Sequence, residues 1–165
     1  MMTKAFKVSV LTLTAAIATA TASTLLHSTP AHAQAAYGSY VAVGPSYGGD
    51  NEWAADIAVR YKFLKAPISI RAQTFLGSSV ALVPTVSYDI PINWQTDAYI
   101  GLGAAINFGG DTPVGNQTAF AIQPGVDYSL PNSNMVVFGN AIFAVGGFEG
   151  GGTAVSVQGG VGLRF

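Results

Sequence analysis

From residue 37 onward the chain repeats one pattern, with bulky apolar residues at every second position and small or polar residues between them. That is the period of a β-strand, whose successive side chains point to opposite faces. The run 52–63 is the clearest case: Trp53, Ala55, Ile57, Val59, Tyr61 and Phe63 alternate with Asp56, Arg60 and Lys62. The same period predicts strands at 37–45, 68–76, 80–90, 97–108, 117–130, 135–145 and 153–165. In the last of these, Val155, Val157, Val161, Leu163 and Phe165 oppose Ser156, Gln158 and Arg164. The run 135–145 is apolar on both faces, so alternation alone leaves its register open. Gly-, Pro-, Asn- and Ser-rich pieces at 46–51, 77–79, 91–96, 109–116, 131–134 and 146–152 read as turns and loops.

No connection is long enough for a parallel crossover, so sequential antiparallel pairing is the simplest topology. A strand at the carboxy-terminal end leaves an unpaired edge, which pairing the last strand with the first removes. The expected fold class is therefore all-β, an eight-stranded antiparallel up-and-down barrel. Pro84 and Pro124 fall inside the fourth and sixth strands, where each deletes a ladder donor, and they predict bulges or kinks.

Composition decides which solvent the apolar face meets. Half of the residues are hydrophobic and only 9% are charged, against about 25% charged in a soluble domain. The polar face holds Gly, Ala, Ser, Asn and Gln with few charges, too few for an exterior in water. The apolar face carries aromatics near strand ends: Trp53, Phe63, Phe75, Tyr88, Phe108, Phe120, Tyr128 and Phe165. Aromatics flanking an aliphatic band, on strands of about 9–11 residues, suit a tilted strand crossing a bilayer. The expectation is a transmembrane barrel with its polar face inward. A secreted, lipocalin-like soluble binder is the same alternation with the faces exchanged.

The amino-terminal segment reads as a leader. Lys4 and Lys7 precede an apolar run over 8–22, and Ala31, His32 and Ala33 supply a small-residue cleavage site before Gln34. Residues 1–33 are thus expected to be a signal peptide and 34–165 the barrel domain.

With these features together, the chain resembles the small eight-stranded outer-membrane β-barrels of the OmpA/OmpX-like porin family, over 37–165. The most specific piece is Val161, Gly162, Leu163, Arg164 and Phe165, which is similar to the terminal-aromatic signal read by the barrel-assembly machinery. The resemblance implies a bacterial outer-membrane location, with that machinery, outer-membrane lipids and lipopolysaccharide as partners. It makes Phe165 the assembly signal. The chain departs from full-length OmpA in having no peptidoglycan-binding domain after the barrel, so no tether to the cell wall is expected. An even strand number puts 64–67, 91–96 and 131–134 on the periplasmic side and the other loops outside.

Little chemistry remains. Both histidines, His27 and His32, fall in the leader and there is no cysteine, so no histidine-activated nucleophile is available. Asp56, Asp89 and Asp127 share the inward face with basic residues, and ion pairing is the expected use rather than acid–base catalysis. No enzyme, cofactor or metal is expected. The expected interior charge network is Asp56, Arg60, Arg71, Asp127 and Arg164. An eight-stranded barrel is just wide enough for side chains to fill, so a structural, non-enzymatic barrel leads. The alternative is a narrow porin-like channel for small solutes along the inward glycines. The external loops carry Asp50, Glu52, Asp111 and Glu149 and no base. These could share divalent cations with lipopolysaccharide phosphates, but solvation is the favoured reading. Beyond the leader there are five basic residues and no basic patch, which gives nucleic-acid binding no support, and a monomer is expected.

Overall fold

A computed structural model describes residues 38–165; the expected signal peptide and Tyr37 lie outside the described residues. Eight strands follow in order: β1 (Tyr40–Gly48), β2 (Glu52–Lys62), β3 (Ile68–Gly77), β4 (Val80–Pro91), β5 (Thr96–Asn107), β6 (Ala119–Ser129), β7 (Met135–Val145) and β8 (Thr153–Arg164). Each pairs antiparallel with the next, and β8 pairs with β1 to close the barrel. Closure leaves no strand edge, so every strand finds a ladder on both sides. Call the rim bearing 63–67, 92–95 and 130–134 the lower rim, and the opposite one the upper.

Two expectations about backbone are corrected. The first strand begins and ends three residues later than its soft alternation suggested, so Ser46, Tyr47 and Gly48 are strand and not loop. They pair with Gln158, Val157 and Ser156. The prolines produce no bulge. The β4–β5 ladder skips Val83 and Pro84 and resumes at Thr85 and Gly103 in unchanged register. Pro124 and Gln123 fall in an identical two-residue gap against β7, and Pro45 and Gly44 in one against β8. On its other flank each proline is fully paired, with Ala72, Ile100 and Ala55 respectively. A missing donor costs one local stretch of one ladder, and the sheet absorbs it without an extra residue.

The strands are strongly staggered. Paired inward positions lead from Tyr40 through Arg60, Arg71, Thr85, Gly103, Ala121 and Ala144 to Ala154. Ala154 lies two residues past Ser156, the partner of Gly48. One circuit therefore climbs ten residues along β1, from 40 to 50. Such shear accompanies a strand tilt of about 35–45°, and it brings residues that are not ladder partners to one level inside.

The barrel is built inside out. Val43, Trp53 and Ile100 stand 56%, 66% and 49% exposed on the outer face, while Asp56, Arg60, Arg71, Asp89 and Asp127 are buried in the lumen. In β7 the register left open resolves with Val136, Phe138, Asn140, Ile142 and Ala144 inward. Phe75 is a correction: it is fully buried in the lumen, not part of an outer aromatic girdle. It shares the inward parity of Arg71 and Gln73, and small neighbours from other strands leave it room.

Candidate functional site

The interior is stacked in tiers, and the lowest is charged. β2 supplies Arg60, β3 Arg71, β4 Asp89, β5 Asp97 and β6 Asp127, all at the inward positions their alternation dictates. Arg60 donates from Nη1 to Asp127 at 2.9 Å, from Nη2 to Asp89 at 2.8 Å and to Asp97 at 3.0 Å, and from Nε to Ser69 at 3.1 Å. Arg71 donates to Asp127 at 2.8 Å, Asp89 at 3.3 Å, Ser87 at 2.9 Å and the Tyr40 hydroxyl at 3.2 Å. Tyr40 in turn donates to Asp127 at 2.9 Å, Ser69 donates to Asp89, and Lys62 reaches Asp97 at 2.8 Å. Guanidinium forks suit this crowd, because each presents five donors in one plane. Buried charges are tolerable only when so fully paired.

Aromatic rings pack against this tier. The Arg71 guanidinium lies 3.3 Å from the centroid of the Tyr99 ring, and Tyr40 stacks against Phe138 at 6.2 Å. Next comes an amide tier. Thr85 donates to Gln123 at 2.6 Å, Gln123 to Gln73 at 2.7 Å, and Gln73 to Asp56 at 2.9 Å. Gln158 donates to Gln73 at 3.4 Å and to Asn140.

The upper tier is apolar: Phe75, Val83, Ile142 and alanines 54, 81, 105, 121, 144 and 154 pack together. The loop 108–118 folds over it and buries Val114 completely, and Phe148 from 146–152 packs alongside. Asn107 Nδ2 holds the Gly115 carbonyl at 2.7 Å, and Gln117 Nε2 holds those of Gly146 and Phe148 at 2.6 and 2.8 Å. The loop around Glu149 is pinned by a 2.9 Å bond from the Glu149 amide to Asn116.

Of the residues named from sequence, Arg60, Arg71 and Asp127 meet in one cluster. Asp56 is a correction: it lies inward but forms no ion pair, taking an amide donor instead, because it sits a tier above the arginines. Arg164 is brought to the 130–134 turn, where Nη2 donates to the Ser133 carbonyl. The Phe165 amide donates to the Ser39 carbonyl at 3.2 Å beside the β8–β1 closure. Asp89, Asp97, Lys62 and Tyr40 were missing from the expected network, although strand parity already turned Asp89 and Tyr40 inward.

Chemically, the cluster offers no open acid or base, since each carboxylate of the lower tier is held by a cation. A recess of about 60 Å³ opens below it between Arg60, Lys62, Asp97 and Arg164, room for a few waters. Among the described residues no group of three or more Asp, Glu, His or Cys is placed to hold a metal.

No protein-family model matches the chain, and no curated protein matches it. Among solved structures it is similar to a de novo designed transmembrane β-barrel, at 13% identity and a TM-score of 0.58, over 77% of this chain and 94% of that one. A crystal structure of Neisserial surface protein A (NspA) aligns at 12% identity with a TM-score of 0.48, again over 77% and 94%. At such identities the likeness to the designed barrel speaks for the fold alone, a closed antiparallel β-barrel.

Proposed function

We propose that this chain is a structural, non-enzymatic β-barrel of a bacterial outer membrane, with a filled and non-conducting lumen. The observation that carries the reading is the inverted distribution of polarity. Bulky apolar side chains clothe the outside, and two arginines and three carboxylates lie buried within. Water would penalise that exterior and a bilayer would not, while a closed ladder satisfies the backbone where lipid cannot. The filled lumen is supported by two unlike plugs in series, the charge cluster below and the apolar tier with its loop cover above. Each carboxylate of the lower tier is held by a cation, which supports a role without catalysis. Outer-membrane lipid and lipopolysaccharide would surround the barrel, and Phe165 would serve as its assembly signal to the barrel-assembly machinery.

Fractionation of cells making the full chain tests location: a heat-modifiable band in the outer-membrane fraction is expected, and a folded protein in the soluble fraction overturns the reading. Planar-bilayer recording of the folded, inserted barrel tests the lumen. Silence is expected, and reproducible steps would favour the narrow channel instead.

A further inference from the structure

We infer that Asp56 anchors a resident monovalent cation inside the barrel, between the amide tier and the apolar tier. Four oxygens on one wall lack hydrogen-bond partners: Asp56 Oδ1, Ser46 Oγ, Ser156 Oγ and Gln158 Oε1. All four residues are at most 6% exposed. They occupy neighbouring inward positions on β2, β1 and β8. Ser46 faces Gln158 directly, Ser156 is one pleat along from Gln158 opposite Gly48, and Asp56 faces Gly44, one pleat from Ser46. Direct cross-strand neighbours have Cβ atoms about 4.5–5.5 Å apart, and Gly44 places no side chain between Asp56 and the others. These four unpartnered oxygens on one stretch of the inner wall make up the proposed cradle.

Charge identifies the occupant. In the lower tier Arg60, Lys62 and Arg71 are engaged with Asp89, Asp97 and Asp127, three cations with three carboxylates. None is left for Asp56. The hydrogen-bond direction of the amide tier points the same way. Thr85, Gln123 and Gln73 donate in sequence toward Asp56, the polarity a negative carboxylate imposes. Because Gln73 spends its amide on Asp56, it turns its carbonyl to the amide of Gln158, and the Gln158 carbonyl is left for the cradle. An uncompensated buried carboxylate is costly, and an all-oxygen ligand set is the preference of hard cations. One positive charge balances Asp56, whereas a divalent ion would leave an excess. The ligand class is therefore sodium or potassium, with the amide tier below and Phe75 and Ile142, the cross-strand partners of Asp56 and Ser156, alongside.

The test uses the full chain produced with its own leader and purified folded from whichever fraction holds it. Unfolding midpoints are compared in sodium, potassium and choline chloride at equal ionic strength, choline being too large for the cradle. The midpoint in sodium or potassium should exceed that in choline and rise with the logarithm of cation concentration, by roughly 5–10 °C at a hundredfold excess over the dissociation constant. Asp56→Asn should abolish the difference, since its amide accepts from Gln73 and donates into the cradle. Ser156→Ala should shift the cation titration to higher concentration and leave the choline midpoint in place, and it carries the test if Asp56→Asn fails to fold. Equal midpoints in all three salts would mean that water or a proton completes the cradle, and the inference fails. A salt difference that survives Asp56→Asn, or one untouched by Ser156→Ala, would locate the ion elsewhere and also overturn it.

Discussion

Tyr99 lies across the bare backbone of Gly125, its partner on the adjacent strand, and so brings its ring beneath the Arg71 guanidinium. A Cβ at position 125 would strike that ring and the Asn140 side chain together. Gly125→Ala is therefore expected to destabilise the barrel by about 1–3 kcal/mol, the usual range for overpacking. Combining it with Tyr99→Ala should recover part of that loss, a coupling readable from urea unfolding of the single and double variants. Additive effects would mean that the glycine serves something other than the ring.

Arg60 bonds three carboxylates at once, so removing it strands more charge than it removes. Arg60→Ala should cost about 3–5 kcal/mol, the range for breaking a buried ion pair from one side. Arg60→Lys should recover only part of this, because an ammonium cannot span Asp89, Asp127 and Ser69 with the reach of a guanidinium. Tryptophan fluorescence during denaturant unfolding would report both. An alanine variant as stable as the parent would show the cluster to be energetically idle.

The three prolines make a sharper statement about local stability. Pro84 leaves Ala104 and Ala105 opposite a gap in the β4–β5 ladder, between paired Gly103 and Ile106. Amide hydrogen exchange in the folded barrel should be faster at Ala104, whose N–H faces β4, than at Leu102 and Ile106, whose amides face the same strand at paired positions. Uniform protection along β5 would mean that the ladder closes over the proline.

The strands were legible in the chain because alternation survives wherever one face is bulky and the other small. Residues 52–63 and 153–165 are the clearest cases, and β2 and β8 fall within a residue or two of them. The register of β7 was not legible. Val136, Phe138 and Ile142 are as apolar as the outward Val137 and Phe143: Ile142 enters the oily upper tier, while Val136 and Phe138 pack with Tyr40, Ala42 and Ala58 near the charges. Phe75 misled for the same reason. A reading that equates inward with polar fails through the upper tier and, lower down, at Val136 and Phe138. The charge cluster was partly legible: parity turns Arg60, Arg71 and Asp127 inward. Which of the inward charges meet depends on the ten-residue stagger, and no single strand encodes that. Asp56 was grouped with the arginines for want of that offset.

Two plugs in series imply that neither alone decides whether the lumen conducts. Arg71→Ser with Asp127→Ser removes an opposed pair from the lower tier and leaves the total charge unchanged, yet Phe75, Val83, Ile142 and Val114 still close the barrel above. That variant should stay silent in a planar bilayer. Phe75→Ala with Ile142→Ala hollows the upper tier at a cost of about 2–5 kcal/mol per site, while Arg60 and Arg71 still bridge the lumen below, and it should also stay silent. All four changes together should give small, reproducible conductance steps, provided heat-modifiable migration shows that the barrel still folds. Steps from either two-site variant would mean that one tier is the sole barrier. A silent, folded four-site variant would shift the barrier to the cover made by 108–118 and 146–152, and Val114→Asp added to it should then open the path.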